Sequence, residues 1–223
     1  RGTTSPVRTD PTGRLGPAQR QARGAGWRRT SRGLYVPADV EPTPLQRVAE
    51  AGAVLPKGVG VTGWAALCWR RARWHTGTGA DGNLAAVDVA AATQCVRDQS
   101  GVRVRRERFD PDDAVELDGL LVATAVAAVV FAMRHAPDLD GAVEALDMTY
   151  RADLVTSEHV ADWLETHPGL VGIQRARDAA RLADENAWSP RETYTRLAWE
   201  RHTGRRPLAN RPVFDLEGRH LGT

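Results

Sequence analysis

Lysine is nearly absent from this chain: Lys57 is the only one, so almost all the positive charge is carried by arginine. Cysteine is also scarce. Cys68 and Cys95 stand 27 positions apart, with neither a CxxC spacing nor a nearby pair of histidines, which excludes a recognisable zinc site and leaves reduced thiols, hence the cytoplasm, as the expectation. The longest apolar run, Leu120–Met133, has 14 residues, short of the ~20 that a bilayer span requires, so no membrane partner is expected. It reads as a strand end followed by a buried helix. No signal-peptide pattern opens the chain, and its start at Arg1 points to a natural beginning upstream. The six histidines lack HxxxH or HExxH spacing, and GxSxG, Walker and dinucleotide fingerprints are missing, which disfavours hydrolase triads and nucleotide-cofactor enzymes. Internal repeats and low-complexity tracts are absent as well.

What remains is a chain of 223 residues, 42% hydrophobic and 26% charged, enough for one large or two modest domains with a real core. The net charge is only +2, but residues 1–36 hold eight arginines against Asp10 alone, giving +7, and the remainder sums to −5. The basic end can contact a polyanion, or it can be a solvated tail.

Trp27–Thr30 and Leu34–Val36 flank Ser31-Arg32-Gly33, the signature of a hairpin and a candidate winglet. Thr43-Pro44-Leu45-Gln46 supplies an N-cap, a proline at the first helical position and a capping-box glutamine, which predicts a helix through about Leu55 with Leu45, Val48, Gly52 and Leu55 inward. Thr62 can cap a second helix, Gly63 to about Arg73. Strands are expected at Leu84–Val89 and Gly101–Phe109, the latter with Val102 and Val104 inward and Arg103 and Arg105 outward. Asp118-Gly119 between Val115–Leu117 and Leu120–Val122 predicts a type I′ hairpin. From Thr124 onward the pattern is helical, over Ala125–His135, Leu139–Tyr150, Thr156–Glu165 and Gly172–Asn186. Strands first and helices afterwards predict an α+β fold: a basic hairpin (residues 1–42), a small mixed sheet (43–123), a helical region (124–187), then a helix and hairpin (188–223).

Several residues could carry chemistry, and each has a structural alternative. Ser189, Pro190 and Glu192 form a capping box, in which the glutamate satisfies a backbone N–H. The same carboxylate could serve a divalent metal in phosphodiester hydrolysis, given further acidic ligands. Asp215 and Glu217, two apart, would share one strand face as paired carboxylates, or they flank an ordinary turn at Gly218. Trp64, Trp69 and Trp74 enclose Arg70, Arg71 and Arg73, residues able to stack on bases and grip phosphates. Five-residue spacing turns successive tryptophans by ~140° on a helix, so core tryptophans with solvated arginines are the competing reading. Arg103, Arg105, Arg106 and Arg108 offer either a basic strand edge for DNA or protection against edge pairing.

The runs Trp27–Val36, Val61–Leu67, Gly101–Val104, Asp118–Thr124 and Glu144–Asp147 together resemble actinobacterial proteins related to the AbiEi antitoxins, over most of residues 14–187. The near-exclusive use of arginine agrees with the codon bias of a GC-rich genome. The resemblance implies a winged-helix-like N-terminal DNA-binding segment, an antitoxin-like middle, and a cognate toxin protein as partner. Many such proteins continue into a Vsr-like endonuclease domain, and Ser189-Pro190-Arg191-Glu192 looks like its first motif, with Mg²⁺ as the cofactor of the complete domain. The later acidic motifs of that family would lie beyond Thr223, which makes the restriction-endonuclease-like helix and hairpin an incomplete nuclease. The expectation is a DNA-associated antitoxin-like regulatory or recognition module without catalysis in these residues. Its DNA contacts would come from Arg28, Arg29, Arg32, Arg70, Arg71, Arg73, Arg103 and Arg105. The alternatives are a fragment of a metal-dependent Vsr-like endonuclease using Glu192, and a protein-interaction scaffold.

Overall fold

The computed structural model describes residues 2–79, 81–91, 99–107 and 110–222. Cys95, Arg108 and Phe109 lie outside the described residues. The fold is α+β and divides into two compact units, the first made of Arg1–Arg70 and His75–Thr124, the second of Arg71–Trp74 and Ala125–Thr223. Among the described residues no helix is long and apolar enough to cross a membrane.

The first unit opens with a three-stranded antiparallel sheet of β1 (Val7–Arg8), β2 (Trp27–Ser31) and β3 (Leu34–Pro37), in the order β1-β3-β2. The expected hairpin is there. Gly33, at φ 77°, makes its turn, and a register shift follows Arg29. Helix α1 (Pro44–Gly52) starts where the capping pattern places it, with the Thr43 hydroxyl accepting from the Gln46 amide at 3.2 Å. It ends at Gly52, short of Leu55, and buries Gln46, Val48 and Ala51. Gln46 does not close the capping box on Thr43. Its amide instead clasps the main chain of Thr4, accepting from Thr4 N at 2.8 Å and donating to Thr4 O at 2.9 Å, which satisfies a polar group that is only 2% exposed.

The five-stranded sheet contains β4 (Gly60–Val61), β5 (Val87–Ala90), β6 (Val102–Arg105), β7 (Ala114–Leu117) and β8 (Leu120–Ala123), ordered β6-β5-β4-β8-β7. It is mixed: β4 runs parallel to β8 and β5 to β6, while the β4–β5 and β7–β8 pairs are antiparallel. Asp118 (φ 50°) and Gly119 (φ 75°) both take the left-handed conformation that a type I′ turn between β7 and β8 demands. Helix α2 (Gly63–Trp69) stops four residues before the expected end, because the chain reverses at Arg71, whose φ is 73°. Helices α1 and α2 pack on each other and on the sheet, and Val36, Val48, Val61, Leu67, Val87, Val89 and Val122 are sealed from solvent. Each such side chain contributes about 1.5–3 kcal/mol by leaving water.

In the second unit, α3 (Ala125–His135) and α4 (Leu139–Tyr150) have the expected boundaries. They are followed by α5 (Ser157–Thr166), capped by Thr156, then α6 (Ile173–Leu182) and α7 (Pro190–Thr203). The hairpin of β9 (Val213–Phe214) and β10 (His220–Gly222) completes it. The sequence pattern sets a boundary at residue 188, yet α7 packs on α4 within one unit. Asp147 of α4 is fully buried and accepts from Asp184 N at 2.7 Å, from the Thr193 hydroxyl at 2.7 Å and from Arg196 at 2.8 Å. Burial pushes the Asp147 carboxyl upward, while those three donors draw it back. Tyr194 donates to Glu144 at 2.6 Å, and Arg201 grips Asp140 through both nitrogens.

Candidate nucleic-acid interface

The basic character of residues 1–36 survives folding as surface. Arg8, Arg14, Arg20, Arg23, Arg29 and Arg32 are all exposed. Among the described residues none of them meets a carboxylate; Arg29 donates only to Ser31 O, at 3.0 Å. Charged groups left facing water in this way keep their field for a polyanion.

Arg28 is different. Cross-strand pairing turns it to the same side of the sheet as Val36, toward α1. There it forms a two-pronged bond with Glu50, at 2.7 and 3.0 Å, and donates to Val40 O. Glu50 also accepts from Gln46 at 2.9 Å, so Arg28 fastens β2 to the helix that holds Thr4. Arg28 is thereby a structural arginine, whereas Arg29 is exposed and donates only to Ser31 O among the described residues.

Asp10, the single acid of the segment, organises the loop that carries Arg14. Its carboxylate accepts from Thr12 N, Arg14 N and Leu15 N, each at 3.0 Å, and from the Thr12 hydroxyl at 2.6 Å. The Thr12 hydroxyl and the three amides hold its pKa down at about 2. The Asp-Pro-Thr-Gly run at 10–13 was the available turn signal for this loop.

The remaining expected DNA contacts belong partly to the first unit and partly to the second. Arg103 binds both oxygens of Asp88, at 2.7 and 2.8 Å, and Arg105 binds the same carboxylate at 2.8 Å. Asp88 is 4% exposed, so the edge strand β6 carries a buried counter-charge on its neighbour β5 and is not a free basic ribbon. Arg106 is exposed. Arg70 donates to Ala123 O from two nitrogens. Trp69 is buried and donates to Leu117 O at 3.0 Å, and Trp64 donates to Ala86 O at 2.9 Å, with Arg47 above its ring. Both tryptophans serve the first unit's packing. Arg71, Arg73 and Trp74 belong to the second unit and are exposed there, with the Arg73 guanidinium 4.8 Å above the Trp74 ring centre.

Glu192 takes up its capping role. Oε1 accepts from the Ser189 hydroxyl at 2.9 Å; Oε2 accepts from Trp188 N at 3.0 Å and from the Asn210 amide at 2.6 Å. Partial burial raises its pKa, but Asn210, Trp188 and Ser189, with Arg151 nearby, outweigh that and hold the carboxyl below the ordinary range. Strand β9 ends at Phe214, so Asp215 lies in the turn. Its carboxylate accepts from Glu217 N, Arg219 N and Arg219 Nε, and Arg219 reaches Glu217 at 3.2 Å. The pair therefore closes a turn around an arginine and does not share a strand face. Glu192 and Asp215 do not fit a Mg²⁺ site: both oxygens of each already accept from N–H or O–H donors, and among the described residues Glu192 joins no cluster of three metal-ligating side chains.

No protein-family model, curated protein or solved structure matches the chain.

Proposed function

We propose that the first unit binds DNA through its N-terminal segment, as an antitoxin-like recognition module with no chemistry of its own. One observation carries this reading: Arg8, Arg14, Arg20, Arg23 and Arg32 are exposed and meet no carboxylate among the described residues, on a segment whose single acid is consumed in shaping its loop. An ordinary soluble surface interleaves both charge signs. Arginines at this density suit phosphate contacts, which supply most of the sequence-independent affinity of DNA-binding proteins. The resemblance to AbiEi-related proteins points the same way and adds a cognate toxin as a second partner.

Charge reversal tests it. Arg29→Glu with Arg32→Glu should weaken binding to every duplex alike, by roughly tenfold or more at low salt, without lowering the melting temperature. Unchanged affinity in the double variant would refute the assignment. Arg28→Glu is the internal control for fold: it sets two carboxylates against each other at Glu50 and should lower the melting temperature.

A further inference from the structure

The loop Asp10–Pro17 has features that general phosphate binding does not require. It carries Leu15, 83% exposed, between the exposed Arg14 and the buried Gly16. An isolated apolar side chain on a surface is ordinary. This one is held in place, because both the Arg14 and the Leu15 amides are tied to the Asp10 carboxylate. Gly13 N binds Asp10 O and Asp10 N binds Pro17 O, each at 3.0 Å, closing the loop at its base. The returning leg lies directly against β1: a Cβ on Gly16 would come within 2.0 Å of Arg8 O, so that position accepts only glycine. The ordering entropy of the loop is thus met on folding and need not be met again on binding.

We propose that this loop is a minor-groove wedge for double-stranded DNA, in which Arg14 lies in the groove and Leu15 enters a base-pair step. The inference rests on the DNA reading above and specifies its mode. Proteins that bind the minor groove combine arginine with an apolar side chain inserted between bases, and they kink the duplex by ~20–90°. An exposed leucine on a fixed backbone beside an arginine, on a basic surface, supplies both parts. Pyrimidine–purine steps unstack most easily, and narrow A·T-rich grooves attract arginine most strongly, so a TA step within A·T-rich sequence is the favoured target.

The experiment uses the full chain and fluorescent end-labelled duplexes of about 30 base pairs, one A·T-rich with a central TA step and one wholly G·C. Energy transfer between the ends reads the bend, anisotropy reads the affinity, and netropsin serves as the minor-groove competitor. Wild type should bend the TA duplex and be displaced by netropsin. Leu15→Ala, at an exposed position, should abolish the bend, and Arg14→Ala should cut affinity for the TA duplex at least about fivefold. Asp10→Ala is the sharpest variant. It removes a negative charge, which on electrostatics alone strengthens DNA binding, yet the wedge requires that the bend be lost. Binding without a bend, a bend that survives Leu15→Ala, or binding unaffected by saturating netropsin would each overturn the wedge while the DNA reading stands. No binding to either duplex at low salt would overturn both.

Discussion

Replacing Asp147 by alanine is the severest single test of how residues 188–203 belong to the fold. The carboxylate is 0% exposed and Arg196 only 4%, and they meet at 2.8 Å. Alanine strands the guanidinium, whose Nη1 keeps Leu182 O at 2.6 Å but whose Nε is buried without an acceptor among the described residues. It also leaves Thr193 Oγ1 and Asp184 N without their partner. Breaking a buried ion pair from one side costs about 3–5 kcal/mol. For a unit of this size that lowers the melting temperature by roughly 15–30 °C. The paired change Asp147→Leu with Arg196→Met removes the stranded charge. It should recover at least about 2 kcal/mol of that loss, leaving the cost of the two unpaired donors. Thermal and urea unfolding followed by far-UV circular dichroism measure both. If Asp147→Ala costs under about 1 kcal/mol, the pair is not buried between α4 and α7, and the assignment of α7 to the helical unit is wrong.

Other outcomes follow from particular groups. His75 is buried, and desolvation depresses its pKa from 6.5 to about 4. The unfolded chain therefore takes up its proton first. Stability is unaffected above pH 6.5 and falls as the pH drops toward 4, by up to about 3 kcal/mol, and His75→Gln should flatten that limb of a pH–stability series. Glu192→Gln presents a donor where Trp188, Ser189 and Asn210 all donate, so it should cost about 0.5–1 kcal/mol, and Glu192→Ala about 1–2, with DNA affinity unchanged in both. Purified protein with plasmid and Mg²⁺ or Mn²⁺ should produce no nicks; EDTA-sensitive nicking that tracks the protein would contradict the reading that these residues carry no catalysis of their own.

Local chemistry was legible in the sequence, and partners distant along the chain were not. Thr43 and Ser189 cap their helices because a hydroxyl three residues before an amide is a local fact, and Asp118-Gly119 turns as it must because few other residue pairs accept two positive φ angles. The boundaries of α3 and α4 follow from long apolar periodicity ended by Ala136-Pro137-Asp138 and by Arg151 onward. Arg103 and Arg105 looked like a solvent-facing stripe because alternation reports only the side of a strand; Asp88, 15 residues before Arg103, decides what they touch. Arg28 looked like its neighbours for the same reason, until Glu50 on α1 claimed it. Trp64, Trp69 and Trp74 do not share one helix, because α2 ends at Trp69 and Arg71 takes a left-handed backbone that no periodicity encodes. The Asp10 loop carried a turn signature, but its consequence, a fixed and exposed Leu15, depends on Gly16 meeting the backbone of β1.

If the exposed N-terminal arginines bind DNA phosphates, as proposed above, the salt dependence of affinity reads this directly. With ~4–6 phosphates neutralised, log K for a duplex should fall linearly against log salt with a slope of roughly −4 to −5, and Arg29→Glu with Arg32→Glu should flatten it by about 2. A slope near zero, or a slope the double variant leaves unchanged, would contradict the account.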